Sequence, residues 1–275
     1  MKKSKKDITS IAIGGFDGMH IAHQSLFTNL SKNGAVVVIE SGYANMTPEN
    51  TREEYSSFPI FYYELNSIKH LEGKEFIDQL KIEFPSLKKI VVGFDFCFGK
   101  NRTYCVEKLK SIFDGDVVVI NEISVNDIPV HSRVIREYIK TGDFKTVNTL
   151  LGRKYKITGL QIKGQGLGKK EFVPTINLKV TKYILPKEGV YITKTIVDGK
   201  SHPSITFIGH RTTTDGSFAI ETHIINNDIQ VHEKDVSIKF YEKTRDNKKF
   251  DSFEKLKEQI LNDINDCKNY FNLTL

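Results

Sequence analysis

Residues 11–24 read IAIGGFDGMHIAHQ. The apolar run Ile11–Ile13 ends in Gly14 and Gly15, then come Phe16-Asp17-Gly18 and two histidines, His20 and His23. This is a buried strand running into a turn. The glycines at 14, 15 and 18 allow a tight reversal and close approach of a ligand to the backbone. Beyond Gly18, Leu26, Phe27 and Leu30 recur at helical spacing, so a helix starts here and carries both imidazoles on one face. A strand, a glycine turn and a helix N-terminus make an anion site, because free N–H groups and the helix dipole point at the same place. Two imidazoles there can donate to phosphate oxygens.

Working outward, strands and helices alternate through the first half. Val36–Ile39, Ile60–Leu65, Lys89–Gly93 and Val117–Ile120 read as strands, and Lys74–Phe84 as a helix with Phe76, Ile77 and Leu80 on one face, ended by Pro85. Residues 40–57 are polar and poorly patterned and read as loop. Ile135, Tyr138 and Ile139 suit the apolar face of a helix that Gly142 stops. The expectation is an α/β, Rossmann-like domain on a parallel sheet. From about Leu150 the pattern becomes short β-rich runs broken by glycine and Asn/Asp turns. The candidates Tyr155–Ile162, Phe172–Lys179, Gly189–Val197, His202–Ile208, Ser217–Ile225 and Asp235–Glu242 make a small six-stranded antiparallel barrel. A C-terminal amphipathic helix follows from the N-cap Ser252 to about Phe271.

The 275 residues are enough for two cores. A net charge of +6 is mild and suits phosphate-bearing ligands, without asking for nucleic acid. Lys2–Lys6 reads as a solvated tail lacking the apolar region of a signal peptide. No apolar run reaches membrane-spanning length. Three cysteines, widely spaced, read as reduced thiols of a cytoplasmic protein. The expected assembly is a monomer or weak homo-oligomer with small-molecule substrates.

GGFDGMHIAH resembles the GxFDGxHxGH signature of the FAD synthetase (FMN adenylyltransferase) module of bacterial bifunctional riboflavin kinase/FAD synthetases, with Ala22 where the family has glycine. Three further stretches bear on the likeness. GFDFCFGKNR, residues 93–102, resembles the family's GxDFxFGKxR. Val130–Tyr155 resembles SSTxIRxxLxxGDxxxANxLLGRxY, with His131 and Arg133 replacing a serine and a threonine. The family's TFxPHP segment is absent after Ile39. The resemblance implies that His20 and His23 act in AMP transfer. It also implies that Gly15, Phe16, Asp17, Gly18, Ser132, Arg133 and Arg136 hold ATP phosphates, and that Asp95, Phe98, Lys100 and Arg102 lie at the flavin. A lost hydroxyl replaced by Arg133 can still hold phosphate.

The second half carries the family's other motif set. GQGLGKKEFVPTINL, residues 164–178, resembles the riboflavin kinase motif GRxxGFPTAN. Gly164, Gly166, Gly168 and Lys169 then form a cationic lid over ATP phosphates. Thr175 and Asn177, two apart on a strand, offer hard oxygens to Mg²⁺. LPKEGVYIT resembles LPxxGVYA and implies a flavin contact at Tyr191. Ser204–Ile225 resembles NIGxxPTF followed by xxxExHI, which implies Glu221 as the base that takes the 5′-hydroxyl proton of riboflavin. The competing reading of Glu221 is a surface ion pair with His223 or Lys179. Family members change domain around LLGRxY, so the resemblance implies an adenylyltransferase domain at 1–148 and a kinase domain at 149–275. The implied function is riboflavin to FMN with ATP and Mg²⁺, then FMN to FAD with release of pyrophosphate. Two alternatives are a kinase whose adenylyltransferase domain is degenerate or altered, and a non-enzymatic flavin or nucleotide sensor.

Overall fold

The computed structural model describes residues 4–164, 173–213, 215–225 and 234–273. Contacts divide the chain into two compact units, Met1–Ser132 and Arg133–Leu275. The first contains, in order, β1 (Ser10–Gly14), α1 (Ile21–Phe27), β2 (Gly34–Glu40), β3 (Ile60–Glu64), α2 (Leu65–Ile68), α3 (Gly73–Glu83), β4 (Lys89–Gly93), α4 (Val106–Ile112), β5 (Asp116–Ile120) and a small ribbon, β6 (Ser124–Val125) and β7 (Ile128–Pro129). The five long strands form one parallel sheet in the order β3-β2-β1-β4-β5.

Both faces of this sheet are covered, which is why its strands read as continuous apolar runs. Ile11 and Ile13 of β1 pack with Val37, Ile90 and Val92 against Phe76, Ile77 and Leu80 of α3 and Leu109 of α4. Ala12 faces the other way, with Val36, Val38 and Val91 beneath Leu26 and Phe27 of α1. β1 pairs with β2 on one side and β4 on the other. Chain order therefore reverses at β1, and the crevice beyond its C-terminal end is where open α/β sheets bind ligands.

Helices α2 and α4 and the β6–β7 ribbon add to the elements expected from sequence, and three further local features differ from that reading. Helix α1 ends at Phe27, and Leu30 packs from the turn after it. Residues 40–57 include a 3₁₀ turn at Glu49–Tyr55. Cys97 and Cys105, expected as separate thiols, form a disulfide with Cα atoms 4.3 Å apart. The cause is the antiparallel bridge between Phe98 and Tyr104, which closes the intervening loop and sets the two cysteines opposite each other.

The second unit contains most of α5 (Ser132–Thr141), then α6 (Phe144–Leu151), β8 (Lys156–Ile162), β9 (Ile176–Lys179), β10 (Gly189–Val197), β11 (Lys200–His210), β12 (Phe218–Ile224), β13 (Asp235–Asp246) and α7 (Phe253–Tyr270). The six strands close into a barrel in the order β10-β11-β12-β9-β8-β13, antiparallel throughout. Its α7 begins at the N-cap Ser252, whose hydroxyl accepts from Lys255 N. α6 packs on the barrel: the Phe144 ring stacks on Phe240 at 4.7 Å and meets Tyr191 edge-on at 5.5 Å. The Asn148 amide donates to the Phe240 carbonyl and accepts from Tyr155 N. The interior also holds a hydroxyl network that no periodicity announces. Thr193, Thr195, Ser204, Thr206 and Thr222 are fully buried and bond to one another at 2.7–3.0 Å, which keeps their burial affordable.

Candidate active sites

A cavity of about 890 Å³ opens at the C-terminal ends of β1 and β4. One wall is the glycine turn and the start of α1, with Gly15, Phe16, His20, Ala22 and His23; the other is the 93–102 segment. The turn holds two non-glycine residues in the left-handed region, Phe16 at φ 49° and Met19 at φ 43°. Both side chains are buried in the core beneath α1, which holds this unfavourable backbone in place.

Hydrogen bonds assign different tasks to the two histidines. Ser132 Oγ donates to the Asp17 carbonyl at 2.7 Å, so it accepts from His20 Nε2 at 3.3 Å. His20 Nδ1 accepts from His23 N and caps α1. His20 is thereby the Nε2–H tautomer, buried and fixed at both nitrogens. The His23 ring stacks on it at 3.5 Å and is the more accessible of the two. Ser132 is thus brought to the histidines from 112 residues away in sequence.

Asp17 serves the protein itself. Its carboxylate accepts from the backbone N–H groups of Asn45, Met46 and Thr47 at 3.3, 3.0 and 2.9 Å, and Gly18 N donates to Thr47 Oγ1 at 2.8 Å. Neither Asp17 nor Gly18 lines the cavity. The 45–47 segment that they anchor reads from sequence only as part of the 40–57 loop, since its polarity pattern carries no signal. On the opposite wall Asp95, Lys100 and Arg102 are exposed toward the cavity. Phe98 reaches the cavity but is mostly core, packed on Phe96 at 5.3 Å and Tyr104 at 5.7 Å. Arg133 and Arg136 follow Ser132 on α5, in the second unit.

The second cavity, about 520 Å³, lies between the outer face of the barrel and α7. Its apolar walls are Val190, Ile205 and Phe207 from the barrel, Leu256 and Ile260 from α7, and Phe250 before that helix. Thr175, Asn177, Arg211 and Glu221 give it a polar side. Strand register sets Glu221 of β12 directly opposite Asn177 of β9. Strand β9 starts at Ile176, so Thr175 reaches the cavity from the residue before it, whereas the sequence reading places it within the strand. Gly164 also lines this cavity, and a Cβ there would stand 2.4 Å from Asn177 Nδ2. Gly166, Gly168 and Lys169 lie outside the described residues.

Two findings depart from the sequence reading. Glu221 pairs with neither His223 nor Lys179. Its partner is Arg211, which donates from Nη2 at 2.6 Å and Nε at 3.1 Å and also reaches Asn177 Oδ1 at 2.9 Å. His223 donates to the Pro174 carbonyl instead. Arg211 was missed because it sits in a loop where nothing marks a partner ten residues on. Tyr191, expected at the flavin, is buried inside the barrel against Phe144 and Phe240 and does not line the cavity. The reason is strand parity: its neighbour Val190 takes the outward face.

The FAD synthetase family matches residues 60–134 and the riboflavin kinase family residues 151–271. A parallel α/β unit joined to a closed barrel, each with its own match, is the class of two-domain flavin transferases. The chain belongs to the bifunctional riboflavin kinase/FMN adenylyltransferase family. The member from Buchnera aphidicola subsp. Schizaphis graminum is 30% identical over 295 residues, covering 96% of this chain and 95% of that one. The Bacillus subtilis member is 26% identical over 299 residues, covering 98% and 94%. A crystal structure titled as a macrolide-efflux protein from Streptococcus pneumoniae superposes with a TM-score of 0.82 at 25% identity, covering 98% of both chains. No described helix is long and apolar enough to cross a membrane.

Proposed function

We propose that the two cavities are the two active sites of a bifunctional enzyme of flavin cofactor synthesis. Riboflavin is phosphorylated by ATP at the barrel, giving FMN. FMN is then adenylylated at the parallel sheet, giving FAD and pyrophosphate. We assign the second reaction to residues 1–148 and the first to 149–275, acting on small molecules in the cytoplasm. The observation that carries the reading is the pairing of Glu221 with Asn177 on adjacent strands, across a slot from the apolar wall of Val190, Ile205, Phe207, Leu256 and Ile260.

In the kinase site, the apolar walls take the flavin ring and direct the ribityl chain toward Glu221. The carboxylate accepts the 5′-hydroxyl proton as that oxygen attacks the γ-phosphorus, help worth roughly 10²–10⁴ in rate. Arg211 orients Glu221 and holds the Asn177 amide. Thr175 and Asn177 offer hard oxygens of the kind Mg²⁺ takes, at the side of the cavity where Glu221 stands. Bound there, Mg²⁺ would neutralise charge on the transferring phosphates.

In the adenylyltransferase site, the FMN phosphate attacks the α-phosphorus of ATP. His23, the accessible imidazole, steadies charge on the phosphates as pyrophosphate leaves, while His20 positions it. Gly15 presents bare backbone to the nucleotide: a Cβ there would meet only Ile39 O, at 4.0 Å, so the protein's own packing does not require the glycine. Lys100, Arg102 and Asp95 face FMN from the opposite wall. Incubation of the pure protein with riboflavin, ATP and Mg²⁺, with FMN and FAD resolved chromatographically, tests the reading. Both products are expected. FMN alone would favour the kinase-only alternative, and neither product would overturn the assignment.

A further inference from the structure

The face that α7 turns to the barrel is not uniformly apolar. Leu256 and Ile260 line the second cavity, and Ile264 and Cys267 close against Val190, Ile192 and Ile205. Between these two pairs, on the same face, stands Asp263, only 3% exposed. Its carboxylate is gripped by Arg245 of β13, with Nε at 3.0 Å from Oδ1 and 3.1 Å from Oδ2, and Nη2 at 2.7 Å from Oδ2. Gln259 Nε2 donates to the same carboxylate at 2.9 Å, and Lys248 Nζ donates to Gln259 Oε1 at 2.9 Å. The Arg245 and Lys248 cations both lie over the Phe250 ring, at 5.7 and 5.0 Å. Arg245, Phe250 and Asp263 all border the cavity.

A buried ion pair is a poor choice for stability alone, since apolar residues of similar volume often do as well or better. It is a good choice for holding two surfaces at a set separation, because a guanidinium–carboxylate pair has a fixed planar geometry. Apolar walls with space between them gain by closing on each other. Here the polar bridge spans from the end of β13 to α7 at the border of the cavity, beside the point where Ile264 and Cys267 pack on the barrel. We propose that Arg245 and Asp263 are a positioning pair that fixes the gap between α7 and the barrel, and so sets affinity for the flavin ring of riboflavin without taking part in phosphoryl transfer. This rests on the reading of this cavity as the riboflavin kinase site.

The test uses the full chain and the double variant Arg245→Met/Asp263→Leu. Thermal unfolding, riboflavin affinity by quenching of flavin fluorescence, and kinase kinetics in riboflavin and in ATP are measured against wild type. The double variant is expected to melt at or above the wild-type temperature. Its KM and Kd for riboflavin should rise about tenfold or more through loss of preorganisation, with kcat and the KM for ATP within roughly threefold. Wild-type riboflavin affinity in a folded double variant would overturn the proposal, as would a uniform fall in every parameter with a lowered melting temperature. Should the double variant not fold, the isosteric Asp263→Asn must still raise the riboflavin KM by roughly threefold with kcat retained, and an unchanged KM overturns the proposal. Wild-type protein that neither binds riboflavin nor makes FMN would overturn the site reading itself, a result distinct from any difference between variants.

Discussion

Arg211 divides its guanidinium between Glu221 and Asn177, so the proposed base and the proposed metal-binding amide share one cation. Replacing Glu221 by Gln keeps the shape and a hydrogen-bond acceptor but removes the basic oxygen. FMN formation should fall by roughly two to four orders of magnitude, while AMP transfer to supplied FMN is unchanged; stopped assays with each substrate read the two separately. The histidine pair allows a similar separation. His20 is buried, caps α1 and bonds Ser132, so His20→Ala should lower the melting temperature as well as FAD formation. His23→Ala should abolish FAD formation with stability and kinase activity retained. Gly15→Ala should leave the melting temperature unchanged, because the added methyl has room in the protein, and should weaken ATP use if the nucleotide lies on this turn as proposed.

In the first unit the loop closed by Cys97 and Cys105 carries Phe98, Lys100 and Arg102 to the cavity wall. Closing a loop of this length removes about 2–3 kcal/mol of chain entropy from the open state. Reduction by dithiothreitol, or the Cys97→Ser/Cys105→Ser variant, should therefore lower FAD formation and raise the KM for FMN while FMN formation continues at its former rate. Equal FAD synthesis in oxidised and reduced protein would separate the disulfide from the site. Buried Cys267 offers an internal control: burial pushes its thiol up to about 12, so it stays unalkylated until the protein unfolds. Glu83 of α3 ties Lys5 and Tyr63 together. Burial would raise its carboxyl, but hydrogen bonds from Lys5, Tyr63 and Gln79 outweigh that and hold it below the ordinary glutamate value. A depressed folded-state value means that the stabilisation is present above the ordinary glutamate value and is lost as pH falls through the folded one. The first unit of wild type should thus lose melting temperature on acidification more steeply than Glu83→Gln, as scanning calorimetry across that range would record.

At the scale of the whole molecule, the compact units divide between Ser132 and Arg133, earlier than the motif boundary at Thr149. The residues between belong to the barrel by contact: Phe144 stacks on Phe240, and Asn148 bridges Phe240 and Tyr155. A fragment starting at Arg133 should fold, make FMN and make no FAD. One starting at Thr149 lacks the Phe144 ring, a loss of the order of 3–5 kcal/mol, together with the Asn148 bonds, and should melt well below the longer fragment. Circular dichroism melts of both fragments beside FMN assays would decide this. Kinase activity confined to the full chain would reject the modular assignment.

Periodicity in the sequence was enough to place the long strands of both halves and helices α1, α3, α5 and α7, because burial on both faces or on one face writes itself into the spacing of apolar residues; the shorter α2, α4, α6 and the β6–β7 ribbon are not legible in it. The glycine turn with its histidines was legible for a similar local reason, since a short motif holds its geometry within a few residues; the 93–102 segment was legible through its resemblance to the family motif. Only the tertiary structure decided what lies across from what. Ser132 at His20, Asp17 under the 45–47 backbone, Arg211 on Glu221, and Arg245 against Asp263 are contacts made through space by register and packing. The same holds for Tyr191, whose place inside the barrel follows from parity in a closed sheet, a property no single strand possesses.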